Sequence, residues 1–297
     1  MASYEIIPDA DLTYNEKLMT IRIKHLCKAI PIILGLNMTI AHARDVIPLE
    51  VDDQGIAAIQ AMADDQRGLF MFDSGIGTSG ITPDTAKRIG CIPWGKVTGF
   101  RAIGERLDLS RCNTTSVTVG AFRVSMPQLV VIDLEKLMGP SAQKFSGILG
   151  LDLFVGQIVT LDLAHNRVIR EDRHSLAMIE RSATEVPIRL VRAAEGAALT
   201  ADLGISTRQG MLWMEIDTGN YGPSLIDRKA AQLVNLDANK TDRQGWRVTP
   251  KPGLEASGRA VVHDLILDGD LGRDVLRQWL VTLDLARGKG WIRQSEQ

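Results

Sequence analysis

Along most of the chain apolar and polar positions alternate in the manner of strands. In "TTSVTVGAFRVSMPQLVVIDL", Val117 and Val119, then Phe122, Val124 and Met126, recur at period two on either side of Gly120. This is the mark of a half-buried hairpin with its turn at that glycine. The segment "VVHDLIL" and two copies of "VTLDL" read the same way. Two stretches break the pattern. "TPDTAKRIG" has Thr82 ahead of good helix formers and Gly90 to stop them, and "LIDRKAAQLV" has Ile226-Asp227 in the leading place, so both predict short helices. The charged stretch 170–187 predicts a connection between two lobes.

At longer range the chain repeats itself. "FMFDSG" at 70–75, "SGILGLDLF" at 146–154 and "VTLDLAHNRVI" at 159–169 return in the same order as "WMEIDTG" at 213–219, "DGDLGRDVL" at 268–276 and "VTLDLARGKGWI" at 281–292. Asp73 to Gly150 spans 77 positions and Asp217 to Gly272 spans 55, so the first copy is the longer. The expected organisation is a leader over 1–43, a first lobe over 44–172, a connection over 173–185 and a second lobe over 186–297. An all-β, bilobed architecture with duplicated lobes and short helices follows.

Each copy ends a buried strand on an acidic residue and a small-residue turn, Asp73-Ser74-Gly75 and Asp217-Thr218-Gly219. One such turn is an ordinary strand ending. Two, each trailed by an apolar-Gly piece, point to paired carboxylates. On these residues the chain resembles the aspartic proteases, specifically the retropepsin-like group of bacteria and retroviruses, with two lobes in one polypeptide, over roughly residues 46–294.

The resemblance implies that Asp73 and Asp217 activate a water between them to hydrolyse peptide bonds, without metal or cofactor. It implies that Ser74 and Thr218 bond across the lobes and that Gly75 and Gly219 admit close backbone approach. Gly150, Gly272 and Arg273 would support the lobe interface, although Arg273 also reads as a surface ion pair. A substrate-covering flap is expected at 96–109, around Gly99, Phe100 and Gly104, with Phe100 or Trp94 in place of the family's flap tyrosine. A second candidate flap is 249–260. Asp270, where the family has an apolar residue, and the loop Asn220-Tyr221-Gly222-Pro223 depart from the pattern. They raise the alternative of a catalytically silent peptide-binding module. Asp152 and Asp274 read as turn or strand-end residues.

Composition trims the field. With 34 basic and 36 acidic residues and a net charge of -2, the chain lacks the basic excess of a nucleic-acid binder. No metal-ligand spacing occurs, and His165, His174 and His263 stand apart in the sequence. Residues 19–43 carry Arg22, Lys24 and Lys28, an apolar run from Ala29 to Ile40, and Ala41-His42-Ala43, the layout of a cleaved signal peptide, with Met19 a possible start. The expectation is a secreted or periplasmic monomer acting on protein or peptide, with no membrane anchor after cleavage. Cys91 and Cys112 are then an even pair, either bridged or separately buried, and the sequence favours separate thiols.

Overall fold

The computed structural model describes residues 44–296, so the expected leader lies outside the described residues. Strands dominate, in three sheets. The Gly120 hairpin forms as its pattern predicts, from Thr115–Val119 and Phe122–Met126, with Gly120 at φ +57°.

Each lobe repeats one connectivity. In the first, strand Gln66–Phe72 runs parallel to Gly147–Leu149, which lies antiparallel to Gly80–Ile81, itself parallel to Leu129–Val131. In the second, Gly210–Ile216 runs parallel to Gly269–Leu271, which lies antiparallel to Ser224–Asp227, itself parallel to Leu254–His263. The strand that ends in each acidic turn is thereby clamped between neighbours. Its apolar residues, Phe70 and Phe72 in one lobe and Met214 and Ile216 in the other, are fully buried.

A six-stranded sheet joins the lobes. The two "VTLDL" repeats, in strands Ile158–Asp162 and Trp279–Asp284, pair antiparallel at its centre. Thr160 lies opposite Thr282, with their hydroxyls 2.8 Å apart. Equivalent residues meeting in antiparallel pairing place a local twofold axis between them.

The helix expected after Thr82 forms as Pro83–Arg88. The Thr82 hydroxyl caps the Thr85 N–H, and Pro83 occupies a first-turn position where no N–H is needed. The second expected helix is mostly strand. Ser224–Asp227 is held between two strands, and only Ala231–Val234 winds into a 3-10 turn. Tertiary pairing overrides local preference there. Within the charged stretch, Arg173–Ser182 forms a helix, started by reciprocal bonds between Asp172 and Ser175. Cys91 and Cys112 are joined in a disulfide, contrary to the expected separate thiols. Strand pairing of Cys112 with Leu129 carries it beneath the loop that follows the first helix, a proximity that sequence spacing does not reveal.

Candidate active site

Both acidic turns are held from below by their own lobe. The Asp73 N–H donates to Leu149 O at 2.9 Å, and the Asp217 N–H to Leu271 O at 3.3 Å. The next residues, Gly150 and Gly272, donate their N–H groups to the hydroxyls of Ser79 and Ser224 at 2.9 and 3.0 Å. A Cβ on Gly150 would stand 2.7 Å from Ile76 Cγ2, and one on Gly272 would stand 2.6 Å from Gly222 O. These glycines pack under the turns of their own lobe rather than at the lobe interface, which corrects that part of the expectation. Arg273 does cross between lobes. It donates to Gly55 O at 3.0 Å and to Asn166 Oδ1 at 3.1 Å, with no carboxylate partner among the described residues.

Between lobes the two turns exchange bonds. Ser74 N–H donates to Thr218 Oγ1 at 2.9 Å, and Thr218 N–H donates to Ser74 Oγ at 3.0 Å. The Ser74 hydroxyl donates to Ile216 O, and the Thr218 hydroxyl to Phe72 O at 3.4 Å. Ser74 and Thr218 are 0% and 2% exposed, so these bonds have no competing water.

The exchange sets the carboxyls side by side. A Cβ on Gly219 would lie 2.3 Å from Asp73 Cγ, and one on Gly75 would lie 2.9 Å from Asp217 Cγ, so each glycine faces the other lobe's acid. Asp73 and Asp217 are within hydrogen-bonding contact of each other. Gly75 N–H donates to Asp73 Oδ1 at 2.8 Å, and Gly219 and Asn220 donate to Asp217 Oδ1 at 2.8 and 3.1 Å. Burial raises both acids above the ordinary carboxylate range, and Asp217 is pushed further by the charges of Asp73, Asp270 and Glu215. Like charges this close share one proton. Such a pair can take a proton from water with one member and polarise a carbonyl with the other.

The pair lies at the floor of a cleft of about 500 Å³. Its roof is the hairpin of Trp94–Phe100 and Arg106–Cys112, the expected flap, with Gly104 at its tip at φ +82°. Gly99 and Phe100 line the cleft, as do Ile103 and Leu107. The tip rests on the second lobe, where Ile266 N–H donates to Ala102 O at 3.0 Å. Near the hairpin's base, Arg111 reaches Glu195 of the second lobe at 3.0 Å and lies 5.4 Å from the centre of the Trp94 ring. Trp94 thus belongs to the hairpin's base, and Phe100 is the hairpin aromatic that lines the cleft. The alternative flap, 249–260, falls on the hairpin of Gln244–Lys251 and Leu254–His263, and none of its described residues lines the cleft.

Sequence reasoning passed over Glu215 and left Asp270 as an unexplained departure. Strand register places Glu215 beside both Asp202 and Asp270, where the first lobe has Met71 beside Ala58 and Ile148. The repeat alignment, Met71 against Glu215, carried that signal. Asn220 makes the change tolerable. It stands where the first lobe has Ile76, an apolar neighbour of the cluster holding Ile148, and its Nδ2 donates to Asp270 Oδ1 at 2.6 Å. Asp152 is buried against Ser79, which donates from N–H and hydroxyl at 2.7 and 2.5 Å; burial lifts it to about 6. Asp274 accepts from Arg259 N–H at 2.7 Å, and both remain structural residues. His165 bonds Asp162 at 2.8 Å, and no described cluster of His, Cys, Asp or Glu has the make-up of a metal site.

A family model described as aspartyl protease matches residues 59–153, a stretch that takes in Asp73 and Asp152. The chain has the aspartic-protease fold. Among solved structures it is similar to basic 7S globulin from soybean, with 13% identity, 85% of this chain and 95% of that chain covered, and a TM-score of 0.53. It is likewise similar to conglutin gamma, a basic 7S globulin from lupine seeds, with 10% identity, the same coverage and a TM-score of 0.52. At these identities the likeness speaks for the fold. No curated protein matches the chain.

Proposed function

We propose that this protein is a retropepsin-like aspartic endopeptidase, complete in one chain, which hydrolyses peptide bonds with a water held between Asp73 and Asp217. The carrying observation is the pair of carboxyls, one from each lobe, in mutual contact on the floor of a cleft roofed by a hairpin. One acid, ionised, takes a proton from the water as it attacks the scissile carbonyl. The other, protonated, donates to the carbonyl oxygen to give a tetrahedral diol; as the C–N bond breaks, the proton taken from the water passes to the departing amine and the second acid regains its own from the diol hydroxyl. The N–H groups of Gly75 and Gly219 hold the carboxylates in place, and the flap excludes bulk water once substrate is bound. The proposal includes export as a monomer to a secreted or periplasmic location, with which the Cys91–Cys112 disulfide is in keeping.

A diverse peptide library incubated with the chain from Arg44 onward, between acid and neutral pH, tests this reading. Cleavage is expected, with Asp73→Asn and Asp217→Asn each lowering it about a thousandfold or more. Activity surviving either change would overturn it. The second reading, a peptide-binding module without hydrolysis, draws on the likeness to the two seed globulins and on the tied-down loop Asn220–Pro223. It requires peptide binding with no cleavage at any pH.

A further inference from the structure

We propose that Glu215 and Asp270, on the second-lobe wall of the cleft, form the subsite for a lysine or arginine side chain of the peptide; this rests on the peptide-cleft reading above. The two lobes offer different chemistry at matching positions. The first lobe's wall carries Val130, Ile132 and Leu109, while the second lobe sets Glu215, Asp270 and Thr200 among apolar residues such as Leu225 and Leu267. Equivalent strand positions that carry Met71 and Ile148 in an apolar cluster carry two acids in the second lobe.

The acids of this wall lack a counter-ion. Four carboxyls line the cleft, those of Asp73, Asp217, Glu215 and Asp270, and among its described lining residues the one cation is Arg101 on the flap, which pairs with Glu105 at 2.9 Å. Arg189, behind the wall, is taken by Asp202 at 2.5 Å. Asp270 is 2% exposed, yet Asn220 and Leu225 both donate to its Oδ1, and no described donor reaches Oδ2. A carboxylate oxygen on a cleft wall that no protein donor engages favours an incoming one. Burial, with the charges of Asp73, Asp202 and Asp270, pushes Glu215 to about 8, as in a site short of a positive charge. A lysine ammonium or arginine guanidinium supplies that charge and the missing hydrogen bonds, while an apolar side chain leaves both acids unpaired.

The test uses peptide pairs that differ only by lysine or norleucine, with the substituted position moved along the peptide. For each pair, the kcat/KM ratio is measured with the wild-type chain, Glu215→Gln and Glu215→Met, the last importing the first lobe's residue. Binding of the same pairs to Asp73→Asn is followed by calorimetry. One position is expected to favour lysine in the wild type, and both Glu215 variants to cut that preference about tenfold, the worth of one charge-assisted hydrogen bond. No lysine preference at any position overturns the proposal, as does an equal loss for both peptides of a pair, which marks a merely structural role. A chain that cleaves nothing, while Asp73→Asn still prefers the lysine peptide, upholds this subsite and removes the peptidase reading. Cleavage without any basic preference does the reverse.

Discussion

At the scale of single residues the site is a matter of what surrounds two acids. Asp73 and Asp217 are tolerated because backbone N–H groups and each other replace water, and because Ser74 and Thr218 fix the distance between them. Ser74→Ala leaves both carboxyls in place but strips Thr218 N–H of its acceptor and Ile216 O of its donor in a fully buried setting. It is expected to destabilise the chain by about 1–3 kcal/mol, read as a lower denaturation midpoint. An unchanged midpoint would deny the exchange its structural role. Asp73, Asp217 and their turn residues were legible in the sequence because the turn needs small residues and occurs twice. Glu215 was not, because an acid inside a strand looks like an outward-facing position until register shows which face it occupies.

At the scale of elements, the clamp of parallel and antiparallel strands under each turn explains why an acidic residue can end a buried strand. The Gly120 hairpin was legible from alternation, and the hairpin over the cleft from the placement of Gly99 and Gly104. The segment around Ile226 was misread because a short apolar run satisfies helix and strand alike, and pairing with Leu254–His263 decides the matter. The lobe-joining sheet was invisible as such, since its central pair brings together residues 122 apart in sequence. The hairpin over the cleft carries its own staple. Cys112 ends its second strand and Cys91 follows the first helix, and their disulfide closes a loop with a separation of 21. Replacing both by serine is expected to cost about 3 kcal/mol of stability, measured by chemical denaturation under oxidising conditions. No difference from the wild type would mean that the bond does not constrain the base of that hairpin.

At the scale of the molecule, both lobes bury acids whose folded state holds protons more tightly than the unfolded chain does. Burial raises Asp270 and Asp152 to about 6 and, joined by neighbouring charges, Glu215 to about 8. Groups raised in this way contribute stability at pH values below their unfolded pKa and lose it as pH rises through the folded value. The thermal midpoint is therefore expected to fall as pH goes from about 4 to 8, with the upper part of that fall missing in Glu215→Met. A midpoint that climbs over this range would contradict the assignment. Two lobes, one sheet between them and one proton across the axis form a single argument, and carboxyl carbon NMR of Asp73 and Asp217 through a pH titration tests it most directly. The expected result is two coupled steps, with the upper one well above the ordinary range in the wild type and lowered for Asp217 in Asp73→Asn. Two independent steps near the ordinary value, unmoved by the substitution, would contradict the shared proton and the chemistry built on it.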